Sequence, residues 1–137
     1  MINSGFEDHV GWVLPITEFT AEYSMEKPRN GNWSLRTGIV PPASPIYSYS
    51  SGQQQVNISS SATSANLLMW VFPFSSQTNL TLAGPELTIG EPVDTQAQVG
   101  DFQYILVLDQ YGNLIESLYV GLLNNQAWTH LSFNLDE

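Results

Sequence analysis

The chain has 137 residues, no cysteine, and a formal net charge of −10 from thirteen acidic and three basic residues. This length allows one domain with its own core, and the lack of cysteine excludes disulfide frameworks, thiolate metal sites and cysteine nucleophiles. The acidic balance repels phosphate backbones, so nucleic-acid binding is not expected. Because no run reaches the ~20 apolar residues that span a bilayer, membrane insertion is not expected either.

The first predicted elements are loops and short strands. The proline-rich residues 41–45 predict a loop, because proline cannot donate a ladder hydrogen bond. Alternation of apolar and polar side chains over residues 55–59 predicts a half-buried strand. The continuous apolar and aromatic run 67–74 predicts a central strand that is covered on both faces, with Pro73 ending its pairing.

The later part of the sequence predicts an insertion and three further strands. Residues 75–101 form an acidic insertion rich in glycine and proline, a length that is uncommon for a simple connection. Runs 102–108 and 114–120 flank a short polar loop with a glycine at 109–113, which is a hairpin signal. Alternation returns over 131–135. About eight short strands without helical periodicity predict an all-β fold, and a sandwich rather than a barrel.

Two motifs near the start carry a resemblance to a known family. They are Asn3-Ser4-Gly5-Phe6-Glu7, which is similar to an N-x-G-F-E first strand, and Gly31-Asn32-Trp33-Ser34-Leu35-Arg36-Thr37-Gly38, which is similar to a later G-x-x-S-Ø-R-x-G strand. Both resemble the jelly-roll β-sandwich family of carbohydrate-binding modules and the related MAM-like and galactose-binding-like domains of secreted bacterial proteins. The resemblance implies one antiparallel module over residues 1–137, at an extracellular or cell-surface location.

By the same resemblance, one more long strand would follow residue 135, whereas this sequence ends at Asp136-Glu137. A sandwich that lacks a strand exposes unpaired N–H and C=O groups along a sheet edge, and such an edge recruits strands from other chains. We therefore expect an incomplete module with a tendency to self-associate through that edge. No basic region followed by an apolar stretch precedes the first motif, so no signal peptide is visible.

The resemblance also implies a structural calcium ion. Calcium takes about six to eight oxygen ligands, many of them backbone carbonyls. Glu7 would supply a carboxylate, and the carbonyls around Asn30 and Asn32 would add further oxygens. The alternative is that Glu7 and its neighbour Asp8 are solvated side chains at a strand end.

Aromatic side chains next to neutral polar ones predict a carbohydrate site. A pyranose ring stacks its C–H face on an aromatic ring, while amides and carboxylates bind its hydroxyls. The candidates are Tyr23, Tyr47, Tyr49 and Trp70 for stacking, with Gln53, Gln55 and Gln103 as polar partners. The alternative is a core role, which is more common for aromatic residues in sandwiches and which is expected for Trp12, Trp33 and Trp128.

Catalysis is not expected. The two histidines are His9 and His130, and His130 is predicted to face solvent opposite Leu131 and Phe133. The sequence has no Gly-x-Ser-x-Gly elbow, phosphate loop or His-Glu-x-x-His pair. We therefore expect a non-catalytic accessory module that binds a polysaccharide or glycan weakly. The alternative is a structural spacer or a protein-interaction or adhesion module without a sugar ligand.

Overall fold

The computed structural model describes residues 1–40, 48–75 and 102–136. The chain divides into two compact units, Met1–Ala62 and Thr63–Glu137. Within the described ranges all regular structure is strand, no helix is found, and every pairing of strands is antiparallel. The predicted all-β class is therefore confirmed. The jelly-roll sandwich is a finer statement than these small sheets support, and it stays a prediction.

The first unit contains a short two-stranded sheet. Strand β1 (Glu22–Ser24) pairs with β2 (Ser34–Arg36), so that Glu22 lies opposite Arg36. Ala21, which precedes β1, is 2% exposed. An isolated bridge joins Val13 to Gln53 through backbone hydrogen bonds of 2.8 and 2.9 Å.

The predicted strand at residues 55–59 is wrong. These residues form no regular structure, and the apolar members of the alternating pattern, Val56 and Ile58, are both exposed. Because both side chains remain exposed, the segment gains little from burial, which depends on tertiary partners that a local pattern does not contain. The predicted loop at 41–45 lies outside the described residues, as does the insertion at 75–101 apart from Ser75.

The second unit contains a ladder between β3 (Asn66–Val71) and β6 (Thr129–Asn134). Alternate residues of both strands are half-buried, and the others are exposed. The prediction that the 67–74 run is covered on both faces is therefore wrong, since Leu68 is 61% and Trp70 is 42% exposed. Continuous apolarity does not reveal whether a strand has one covered face or two.

Pro73 ends the pairing of β3 as predicted, because the strand stops at Val71. The carbonyl of Pro73 instead accepts a hydrogen bond of 3.2 Å from the backbone N–H of Gln126. The alternation predicted over 131–135 is also confirmed, since Leu131 and Phe133 of β6 are half-buried. In register, Leu131 lies opposite Met69 and Phe133 lies opposite Leu67, which forms the apolar side of this ladder.

The predicted hairpin is confirmed by β4 (Gln103–Leu108) and β5 (Leu114–Gly121). The turn closes through a 2.8 Å bond from the Asp109 N–H to the Asn113 carbonyl, and Gly112 has a φ of 86°. That conformation favours glycine, as the turn signal in the sequence required. Among the described residues, no helix is long and apolar enough to cross a membrane.

Candidate functional site

The carboxylate of Glu7 closes the loop that precedes β2. Its Oε1 accepts hydrogen bonds from the backbone N–H groups of Asn32 and Trp33, at 3.1 and 3.0 Å, and its Oε2 accepts from Asn32 at 3.0 Å. Gly31, which directly precedes Asn32, has a φ of 69°, and a Cβ added there would lie 2.6 Å from Glu7 Cδ. This position favours glycine, because φ is positive and a side chain would displace the carboxylate.

The predicted metal residues are thus close together, but their geometry does not fit a calcium site. Amide N–H groups, not carbonyl oxygens, face Glu7, and an amide N–H cannot ligate a cation. The described residues contain no group of three or more His, Cys, Asp and Glu side chains placed to hold a metal. The Asn30 side chain is next to Arg29 rather than Glu7. Glu7 is satisfied by the loop itself, and calcium binding stays a prediction.

An aromatic cluster packs beside this loop. Tyr23, a predicted sugar-stacking residue, lies parallel to the ring of His9 at 4.3 Å between centroids, and Trp33 meets His9 edge-on at 4.1 Å. Phe6 contacts Trp12 at 4.9 Å. Trp12 and Trp33 are half-buried, as expected for packing residues. The Tyr23 hydroxyl is buried and has no hydrogen-bond partner in the described residues, so the surroundings of Tyr23 are those of a packing residue.

Two polar residues hold the N-terminal loop: Asn3, the first residue of the N-terminal motif, and Gln54, which the sequence did not single out. The carbonyl of Asn3 accepts bonds from the Phe6 N–H and the Trp12 indole N–H, both at 3.1 Å. The Gln54 amide donates to the carbonyls of Ile2 and Gly11, both at 2.7 Å, and accepts from the Ile2 N–H at 2.9 Å. No residue pattern distinguishes Gln54 from its neighbours Gln53 and Gln55, so only the structure could identify it.

A shallow depression of about 240 Å³ lies beside the β1–β2 sheet. Its lining residues are Glu18, Phe19, Thr20, Glu22, Arg36, Gly38 and Val40. The Arg36 guanidinium donates to the carboxylates of Glu22 and Glu26, the latter at 2.6 Å, and these two bonds raise the pKa of Arg36. Because the Arg36 cation is already paired with two carboxylates, it is not free to bind an anionic ligand in the depression.

Trp70 lies on an exposed face of the second unit, formed by alternate residues of β3 and β6. In register, Trp70 is opposite His130, Leu68 is opposite Ser132, and Asn66 is opposite Asn134. The rings of Trp70 and His130 are 4.9 Å apart at 47°. His130 is exposed, as predicted. We call these six residues the Trp70 face.

The remaining predicted ligand residues are placed separately. Tyr49 and Gln55 are exposed in the first unit, whereas Tyr47 lies outside the described residues. Gln103 is half-buried in the second unit, where its amide donates to the Leu123 carbonyl at 3.0 Å and accepts from the Leu123 N–H at 2.9 Å. Both polar atoms of the Gln103 side-chain amide therefore hold the segment that follows β5. Trp128 is half-buried against Phe72, as expected.

Comparisons with known proteins give no match to a protein family, to a curated protein or to a solved structure. The likeness to carbohydrate-binding modules therefore rests on the two sequence motifs.

Proposed function

We propose that the chain is a non-catalytic, extracellular accessory module that binds a polysaccharide or glycan weakly by aromatic stacking. The observation that carries this proposal is the exposed Trp70–His130 pair on the Trp70 face. An indole face that water reaches can stack on the C–H face of a sugar ring. The neighbouring imidazole, tilted by 47° from the indole, widens the aromatic surface across the two strands.

The amide end of the Trp70 face, opposite the Trp70–His130 end, favours an oligosaccharide over a single sugar. Asn66 and Asn134 lie opposite each other four residues along the ladder from Trp70 and His130. At ~3.3 Å per residue, that separation is roughly 13 Å, which is longer than one sugar ring. A ligand that stacks on Trp70 would therefore reach these amides through a further ring, passing over the exposed Leu68.

The chemistry of the Trp70 face favours binding without hydrolysis. Glycoside hydrolysis uses a pair of carboxyl groups placed about 5–10 Å apart on either side of the scissile bond. The six residues of this face carry amides, a hydroxyl, an imidazole, an indole and an alkyl group, and none of them carries a carboxylate. They could recognise hydroxyl groups but could not act as the acid and the nucleophile.

Affinity electrophoresis in gels containing a panel of neutral polysaccharides tests the proposal. Trp70→Ala should restore free mobility where the wild-type chain is retarded, whereas Trp70→Phe should keep part of the retardation. An aromatic stack is worth roughly 0.5–1.5 kcal/mol, or up to about tenfold in affinity. Tyr111→Ala is the matched control, because Tyr111 is an aromatic residue that is 79% exposed at the β4–β5 turn and is not part of the Trp70 face. Equal retardation of wild type and Trp70→Ala would contradict the proposal.

A second candidate is a protein-interaction module, favoured by the β4–β5 hairpin. Alternate residues of β4, Tyr104, Leu106 and Leu108, are exposed, and so is Val120 opposite Tyr104. Contiguous apolar patches on soluble proteins often mark interaction surfaces. This surface and the sheet edges both support the expected self-association.

Light scattering across a concentration series tests the second candidate. Leu106→Glu should lower the apparent mass at high concentration, and Ile16→Glu, at an isolated exposed position in the first unit, should not. A monodisperse wild-type monomer would contradict self-association. Retained polysaccharide binding in Leu106→Glu would show that the two surfaces act separately.

A further inference from the structure

Asn30 and Gly31 form the one Asn-Gly pair of the sequence, in the loop that Glu7 closes. We propose that Asn30 is a site of spontaneous deamidation in the folded protein, giving aspartate and isoaspartate. This proposal is independent of the proposed sugar binding. It rests on the geometry of Gly31, on the contacts of the Asn30 amide and on the position of Glu7.

The reaction needs only water. The backbone nitrogen of Gly31 attacks Cγ of Asn30, and a new C–N bond forms. The proton of that nitrogen passes through solvent to the departing amide group, the Cγ–Nδ2 bond breaks, and ammonia leaves a five-membered succinimide. Water then adds to either ring carbonyl and opens the ring to aspartate or isoaspartate. No oxidant or reductant takes part.

Gly31 makes this attack easier, and the loop favours glycine at its position. Glycine has no Cβ to shield its nitrogen from the neighbouring side chain and moves readily between backbone conformations. Its φ of 69° and the position of the Glu7 carboxylate disfavour any larger residue. Within the described ranges, the Gly31 N–H takes part in no hydrogen bond that would hold its nitrogen. The closure by Glu7 therefore favours the same residue that makes Asn30 reactive.

Arg29 activates the Asn30 amide. In the orientation that satisfies both groups, Asn30 Oδ1 accepts a hydrogen bond from Arg29 Nη1 at 2.7 Å, and Nδ2 donates to the Arg29 carbonyl at 3.0 Å. A guanidinium on the amide oxygen withdraws electrons from Cγ and stabilises the oxyanion that forms on attack. Asn30 is exposed, so water reaches the succinimide.

The product would loosen the loop. It adds a negative charge two residues from the Asn32 N–H that binds Glu7, in a chain whose net charge is already −10. Isoaspartate also lengthens the backbone by one methylene group immediately before Gly31. Both changes oppose the hydrogen bonds from Asn32 and Trp33 to the Glu7 carboxylate.

The test is incubation of the full folded chain in mildly alkaline buffer at body temperature, followed by peptide mapping and enzymatic methylation of isoaspartate. Conversion should appear first in the Asn30 peptide, before that of the exposed Asn57, which precedes the bulky Ile58. Asn30→Gln should abolish it. Arg29→Gln should slow it about tenfold, the effect of one charge-assisted hydrogen bond on a rate, and Arg29→Lys should restore part of the rate.

A synthetic peptide of residues 27–34 gives the rate without the fold. If Asn30 stays intact in the folded chain while this peptide converts, the proposal is overturned. An equal rate in wild type and Arg29→Gln would overturn the role of Arg29. Circular dichroism of each variant shows that it has kept its strands, so that the rates compare folded proteins.

Discussion

Trp70 on β3 lies directly opposite His130 on β6, and their rings are 4.9 Å apart on the exposed face of that ladder. Cross-strand pairs of this kind contribute roughly 0.2–1 kcal/mol to stability. The same pair carries the proposed sugar site. Stability and sugar binding must therefore both be measured for each variant of the pair.

We predict that His130→Ala lowers stability by less than about 1 kcal/mol and weakens polysaccharide binding less than Trp70→Ala does. The reason is that Trp70 supplies the larger stacking surface, and His130 only extends it. Chemical denaturation of both single variants and the double variant gives the coupling between the rings. A coupling of zero would mean that the ring contact contributes nothing to the ladder.

Glu7→Ala is predicted to destabilise the chain by about 1–2 kcal/mol, because it leaves the N–H groups of Asn32 and Trp33 without their acceptor. Solvent can reach this loop, so the cost lies toward the lower end of that range. Asp8→Ala removes the adjacent carboxylate, which makes none of these bonds, and should be nearly neutral. Denaturant unfolding measures both variants, and equal losses would contradict the assigned role of Glu7.

Thermal unfolding with excess calcium and with a chelator decides between the calcium ion implied by the family resemblance and the loop geometry. In that geometry backbone N–H groups already satisfy Glu7, which predicts the same midpoint in both solutions. An ion held at a hundred times its dissociation constant would add about 2.7 kcal/mol. A calcium-dependent rise that disappears in Glu7→Ala would instead support the calcium site implied by the family resemblance.

Gly31→Ala should cost more than Gly38→Ala. Both glycines have positive φ, 69° and 90°, which costs a residue with a side chain roughly 1–2 kcal/mol. A Cβ at Gly38 meets no atom within 4 Å, whereas one at Gly31 meets the Glu7 carboxylate. The excess cost of Gly31→Ala should therefore shrink when Glu7 is also alanine. Equal costs in both backgrounds would show that the contact with Glu7 is not the cause.

The β4–β5 turn should weaken in acid. The side-chain amide of Asn113, followed by its backbone N–H, lowers the pKa of Asp109 below its ordinary 3.8. A lowered folded pKa gives a stabilisation that is present above pH 3.8 and is lost as the pH falls through the folded value. Carboxyl titration by NMR measures this pKa, and Asn113→Ala should raise it toward 3.8. An unchanged pKa would exclude Asn113 as the main cause.

The sequence predicted those elements whose local signals agree with each other. The β4–β5 hairpin has two apolar runs and a glycine turn, and both features describe the same structure. The 55–59 pattern had the right period but only Val56 and Ile58 to bury, and burial depends on partners that a local pattern does not contain. Exposure of Trp70 was equally hidden, because apolar composition does not show which face of a strand a second layer covers.

The candidate site was predictable only in part. The two motifs placed Glu7 near the loop of Asn30 and Asn32, and the structure brings them together. The motifs could not show that N–H groups rather than carbonyls face the carboxylate, because that depends on the φ of Gly31. Tyr23 belongs to an aromatic cluster whose members come from three separate stretches of sequence, so its packing could not be inferred from its neighbours.

The bonds from Gln54 to Ile2 join residues that are 52 positions apart. Contacts this distant in sequence form late, because the entropy of closing a long loop must be overcome first. During synthesis, the N-terminal motif therefore leaves the ribosome well before the residue that holds it. The N-terminal loop must remain unclosed until about fifty further residues have followed. Any partner that shields it during that interval would change how fast the first unit folds.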